Sequence, residues 1–178
     1  VLVLAACSRK KNTFLSRNYH AVTGEYNALY NGGLAFEAGR QQLAQTYKDN
    51  FWEVLPVERI DLKEDFGVPD NGPSQNENFT RAEEKATKAI QKHSVYVKGK
   101  EYNPQIDEAY ILLGKARYFD KRFIPALESF NHILEKYPTS SLIHETRIWK
   151  AKTQLNSVFL SSLVNEITES LQMNMNLN

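Results

Sequence analysis

Apolar residues recur between positions 22 and 47 with the period of a helix. Val22, Tyr26, Leu29, Gly33, Phe36, Leu43 and Tyr47 follow one another at steps of four, three, four, three, seven and four, the stripe of an amphipathic helix. The spacing predicts one long helix, ended near Pro56 because the residue before a proline is turned out of the helical region. Gly24, Gly32, Gly33 and Gly39 would each cost up to about 1 kcal/mol in its interior. They point either to a closely approaching neighbour or to a break near Asn31-Gly32-Gly33.

Polar residues, Gly and Pro dominate positions 57–77, which are expected to form a loop inserted into the helical domain. Within it, Asp61-Leu-Lys-Glu-Asp65-Phe-Gly67 superficially resembles a calcium loop. Lys63 stands where an oxygen ligand is required and no closing Glu follows, which argues against calcium. Thr80-Arg-Ala-Glu83 has the form of a capping box. Behind it Ala82, Ala86, Ala89, Ile90 and His93 lie along one side of a helix, small enough to admit another helix closely. Ser94–Tyr102 reads as a polar loop, and Asn103-Pro104 as a cap with a first-turn proline.

Residues 107–140 carry the most specific pattern. With Asp107 as position one, Tyr110, Leu113, Gly114, Phe123, Ala126, Phe130 and Pro138 stand at positions four, seven, eight, seventeen, twenty, twenty-four and thirty-two. This resembles a complete tetratricopeptide repeat, a helical hairpin of 34 residues. Position eleven, usually aromatic, holds Arg117, with Tyr118 beside it. Gly114 and Ala126 are small where the two helices would touch, and Pro138 would stop the second. Residues 141–171 are expected to begin a further, partial repeat, with Ala151 at the small position and Val158, Leu160, Leu163, Val164, Ile167 and Leu171 in the partner helix. The fold class is thus all-α: tetratricopeptide-like hairpins in a right-handed solenoid, with a long N-terminal helix and an irregular insertion, over residues 18–178.

Composition changes this picture little. Against 21 acidic residues stand 22 basic ones, a net charge of +1, so neither nucleic acid nor an acidic tail is called for. The N-terminus changes it more. Val1-Leu-Val-Leu-Ala-Ala-Cys7 is an apolar run closing on small residues, as the tail of a secretory signal does, and Leu4-Ala5-Ala6-Cys7 resembles the lipobox of bacterial lipoproteins. The resemblance implies a signal-peptide remnant over residues 1–7, lipidation of Cys7, and a tether over residues 8–17. Ser8 with Arg9, Lys10 and Lys11 after it fits delivery to the periplasmic face of the outer membrane. The membrane would be met through the lipid anchor alone, since no run approaches the length of a spanning helix. Cys7 is the only cysteine, so neither an intramolecular disulfide nor a cysteine-based zinc site is available.

No arrangement in the chain suggests catalysis. His20, His93, His132 and His144 form no zinc-binding pair at helical spacing, and Gly114-Lys115 lies in a helical pattern and not in a phosphate loop. No cofactor, metal or small-molecule substrate is expected. In tetratricopeptide proteins the first helix of each pair lines a groove, which here would expose Glu108, Ile111, Lys115 and Tyr118, with Phe119 at its edge, to a protein partner.

The Leu-Ala-Ala-Cys7 start, the Glu25-Tyr-Asn-Ala-Leu-Tyr-Asn31 helix, Trp52-Glu-Val-Leu-Pro56 and the repeat at 107–140 together resemble the N-terminal part of the gliding-motility lipoproteins of the SprE (PorW) family of Bacteroidota. The similarity covers roughly residues 1–156. It implies a tetratricopeptide lipoprotein of the outer membrane whose partners are proteins of the type IX secretion or motility apparatus. Two other readings stay open: a periplasmic outer-membrane assembly factor that binds client chains, and a docking arm of a cell-wall processing system.

Overall fold

The structure is a computed structural model and describes residues 14–52, 55–60 and 76–175. Cys7 and the calcium-like run at 61–67 lie outside the described residues. The described chain is mostly helical, in the order α1 (Phe14–Thr23), a π-helical turn (Gly24–Leu29), α2 (Tyr30–Thr46), α3 (Glu77–His93), α4 (Ile106–Phe119), α5 (Phe123–Lys136) and α6 (Ile143–Met175). Each helix from α2 onward packs on the next, and α4 also touches α2 and α6.

α1, the π turn and α2 form one unbroken helical rod, as the long first helix required. It begins four residues inside the stretch expected to be a tether. Its inward face is Ser16, His20, Gly24, Ala28, Leu29, Gly32, Ala35, Phe36 and Gly39, whereas Val22 and Tyr26 of the expected stripe point outward. The glycines explain the close packing. A Cβ at Gly39 would lie 2.6 Å from the Phe79 ring, and one at Gly32 2.9 Å from Leu112. Gly33, by contrast, meets nothing within 4 Å. The rod does not break at Asn31-Gly32-Gly33; it widens earlier, at the π turn.

α3 starts at Glu77 with Asn76 as its N-cap, whose side chain accepts from the Asn78 N–H at 2.9 Å. The expected capping box at Thr80 therefore does not form, because the extra turn brings Phe79 onto Gly39. Glu83, freed from capping, accepts from Arg117 Nε at 2.8 Å and from Arg122. Arg117 also donates to the Pro125 carbonyl at 3.1 Å and to Ser129 Oγ at 3.2 Å. The residue that departs from the repeat pattern thus ties α4 to both α3 and α5. Burial disfavours the Glu83 carboxylate, but the hydrogen bonds and charges of Arg122 and Arg117 outweigh it and hold the carboxyl below its ordinary range.

The loop expected at Ser94–Tyr102 is a tight antiparallel hairpin, β1 (Tyr96–Val97) and β2 (Lys100–Glu101). Lys98 and Gly99, both at positive φ, form the two-residue turn that matches strand twist. Glu101 organises it, accepting from Ser94 Oγ at 2.6 Å and from the N–H groups of Val95, Tyr102 and Asn103 at 2.7, 3.0 and 2.9 Å. Buried Asn103 then caps Gln105 N–H and donates to the His93 carbonyl at 2.9 Å.

α4 and α5 are the hairpin predicted from residues 107–140. A Cβ at Gly114 would collide with the edge of the Phe130 ring, and Ala126, Phe123 and Phe130 are fully buried or nearly so. α4 ends with Lys121 at φ 63° while Arg122 N–H reaches back to the Arg117 carbonyl at 2.9 Å, the Schellman pattern. The partial repeat is corrected. Residues 143–175 form one continuous helix and not a hairpin, Ala151 is exposed, and Thr146 and Thr153 are the buried small residues. Their hydroxyls are spent on the Leu142 and Trp149 carbonyls at 2.8 and 2.6 Å.

Two outcomes follow from this packing. Gly114→Ala is expected to lower stability by about 1–3 kcal/mol through overpacking, a fall of several degrees in Tm, whereas Gly33→Ala, with open space and better helix propensity, should gain about 0.5–1 kcal/mol. Equal melting temperatures for the two in thermal denaturation would contradict the contact. Glu83→Gln is expected to cost about 1–3 kcal/mol at neutral pH by leaving the Arg117 guanidinium without a counter-charge and Arg122 with Asp120 alone. The folded carboxyl lies below its ordinary value of 4.5, so the wild-type advantage is complete above that value and declines as pH falls through the folded pKa. Denaturant titrations across the acid range should show the gap between the two proteins narrowing.

Candidate protein-binding site

The side of the molecule formed by α2, α4 and α6 is where a groove was expected. Glu108 is exposed there, at the start of α4. Partial burial, then the negative charges of Asp107 and Glu25, lift its carboxyl above the ordinary range. Lys115 is half-buried and paired with Glu145, its ammonium 5.4 Å from the Trp149 ring. Ile111 and Tyr118 are not surface residues at all. Ile111 is 5% exposed and packs in the core cluster with Phe36 and Ile60.

Tyr118 is 0% exposed. Its ring meets Phe119, Phe123 and Trp149 edge-on at 5.3, 5.6 and 5.4 Å, and its hydroxyl accepts from Asn156 Nδ2 at 2.8 Å. Burial, helped by the charge of Glu58 and opposed by the Asn156 bond, drives the phenol well above its usual pKa. Phe119, expected at the groove edge, is likewise buried. The physical reason is rotational. Arg117 turns toward α3 and α5, so the next side chain points some 100° round the helix, toward α6.

A strap of the chain's own residues completes the filling. After α2, residues 55–60 reach across to α6: Ile60 is 3% exposed within the core, and Glu58 pairs with Lys152. Lys152 in turn lies 4.6 Å over Trp149. Residues 57–60 belong to the stretch expected to form a loop and carry neither helix nor strand, yet Ile60 and Glu58 hold them firmly against the body. The four predicted residues are therefore not assembled into one open surface; Glu108 alone is exposed.

What remains open is the outer side of the strap. An open cleft of about 480 Å³ runs between it and α2, lined by Glu37, Arg40, Leu43, Leu55, Val57 and Phe119. Arg40 spans its wall, 3.5 Å from Glu37 and 5.7 Å from the Phe119 ring centre. Two and three residues beyond Asp49, which also lines the cleft, Phe51 and Trp52 are 79% and 96% exposed. Trp52 is thus left almost wholly in water three residues from a wall of the cleft, whose lining mixes charged and apolar side chains. In the sequence Trp52 stands out by likeness to a family and not by exposure; its position two residues after Asn50, whose side chain accepts from the Trp52 N–H at 3.2 Å, is the local signal of a turn.

In comparison with known proteins, no family model matches the chain and no curated sequence matches it significantly. Among the described residues no three His, Cys, Asp or Glu side chains gather as a metal site, and no helix is long and apolar enough to cross a membrane.

The burial of Tyr118 has a direct consequence. Tyr118→Ala is expected to cost about 3–5 kcal/mol, as truncation of a buried aromatic does, whereas a groove-lining tyrosine would change stability by no more than about 0.5 kcal/mol. Chemical denaturation of the two proteins distinguishes the cases, and a small loss would return Tyr118 to the surface.

Proposed function

We propose that this chain is a protein-interaction module and not an enzyme, with hairpins of the tetratricopeptide type stacked in a right-handed solenoid. In this reading it is an outer-membrane lipoprotein, held at the periplasmic face by lipid on Cys7 and serving as a scaffold in type IX secretion and gliding motility. The observation that carries the interaction role is the cleft beside α2 with Phe51 and Trp52 exposed two and three residues after its Asp49. A rigid aromatic plate loses little conformational freedom on docking and contributes disproportionately to affinity. Arg40 and Glu37 supply charges that would set the orientation of an entering segment. The secretion context rests on the resemblance of residues 1–156 to the gliding-motility lipoproteins.

Residues for partner binding move accordingly from Ile111, Lys115 and Tyr118 to Arg40, Leu55, Phe51 and Trp52. Trp52→Ala and Arg40→Glu are expected to leave helicity and melting nearly unchanged, since both positions are exposed. Each should sharply reduce co-purification of secretion or motility subunits from membranes, because interface anchors cost about 2 kcal/mol or more when truncated. Retention of the same subunits by both variants would contradict the cleft as the working surface. Recovery of barrel-assembly subunits or of cell-wall processing activity in place of secretion subunits would contradict the pathway.

A further inference from the structure

The outward face of the N-terminal rod carries a second apolar surface, separate from the cleft. Leu15, Tyr19, Val22, Tyr26, Tyr30 and Leu34 are each between 54% and 77% exposed. They lie on the side away from Ser16, His20, Gly24, Ala28 and Gly32, which face the body of the protein. In a regular helix of 3.6 residues per turn, the three four-residue steps from Val22 to Leu34 would rotate the side chain by about 120° and carry it off the stripe. The π turn at Gly24–Leu29 is wider and takes up more residues per turn. It thereby keeps Tyr26, Tyr30 and Leu34 in line with Leu15, Tyr19 and Val22. An irregularity that costs regular hydrogen bonding has the effect of making one straight apolar seam.

We infer that this seam is the interface for a second copy of the chain, joined antiparallel about a twofold axis. The spacing is self-complementary. With the axis passing near residues 24 and 25, Leu15 meets Leu34 of the other copy, Tyr19 meets Tyr30, and Val22 meets Tyr26, so each contact occurs twice as a twofold interface requires. Small Val22 opposite large Tyr26 lets the two helices interlock at the centre. The extent is also adequate. With Phe14, itself 71% exposed, the seam presents apolar surface on the order of 800 Å² at roughly 200 Å² for each full side chain, and a stable interface buries about 800 Å² per partner.

The test is sedimentation velocity of the full 178-residue chain over a concentration series, in a Cys7→Ser background that removes disulfide-linked dimers. A dimer is expected, weakened by about 100-fold in Tyr26→Glu and unaffected by Leu155→Glu on the exposed side of α6, with circular dichroism confirming that both variants are folded. Tyr19→Glu should act like Tyr26→Glu. A chain that is monomeric throughout overturns the inference, as do oligomers that grow without limit or a dimer indifferent to Tyr26→Glu. Flotation with phosphatidylethanolamine and phosphatidylglycerol vesicles covers the remaining occupant: binding by monomeric chain that is lost in Tyr26→Glu would assign the seam to a lipid surface and overturn it as well.

Discussion

A phenylalanine ring can rest on the backbone of a neighbouring helix only where the facing residue has no side chain, and this fold depends on that contact twice. Phe79 of α3 lies on Gly39 of α2, and Phe130 of α5 lies on Gly114 of α4. Each pair sets the separation of the two helices and so the positions of the rings around them. From Phe79 the contacts pass without a gap to Phe119, stacked at 5.6 Å, and from Phe119 to Trp149 of α6 at 5.9 Å. An aromatic seam thus links α3, α4 and α6, and much of the apolar burial that opposes chain entropy lies along it.

The polar groups with the most partners bind several elements at once. Glu83 gathers two arginines from α4 and the turn after it, Glu101 gathers three N–H groups and a hydroxyl, and Asn103 links its loop to the end of α3. Such groups are costly if left unpaired and specify one arrangement when satisfied. The consequence for function is that Lys115 and Tyr118 are engaged internally. Large apolar side chains are left exposed beside the cleft outside the strap and along the outward seam of the first rod, and also on α6 at Ile148, Leu155 and Val158.

The α4–α5 hairpin was legible because its signals are local: glycine, alanine, phenylalanine and proline at fixed offsets, each with one packing role. The first rod was legible as a helix but not in its orientation. Its inward side also uses Ser16, His20, Gly24 and Ala28, which carry little hydrophobic signal, while Val22 and Tyr26 of the apolar stripe that announced the helix face water. The continuity of α6 was present in the absence of any Gly or Pro after Pro138, though hairpin periodicity argued otherwise. The burial of Tyr118 could not be read locally, because what covers it, Trp149 and Asn156, lies more than thirty residues away. Nor could the strap, whose anchoring rests on one isoleucine and the ion pairs of Glu58 and Arg59.

Nuclear Overhauser contacts from the glycine α-protons test the arrangement most directly. In the labelled full chain, Gly114 and Gly39 should show α-protons shifted strongly upfield by ring currents, each with cross-peaks to a phenylalanine ring, Phe130 and Phe79 respectively, while Gly33 shows neither. Ordinary helical shifts at Gly114 and Gly39 with no ring cross-peaks would mean that the helices do not pack through glycine, and the placement of both surfaces would fall with that contact.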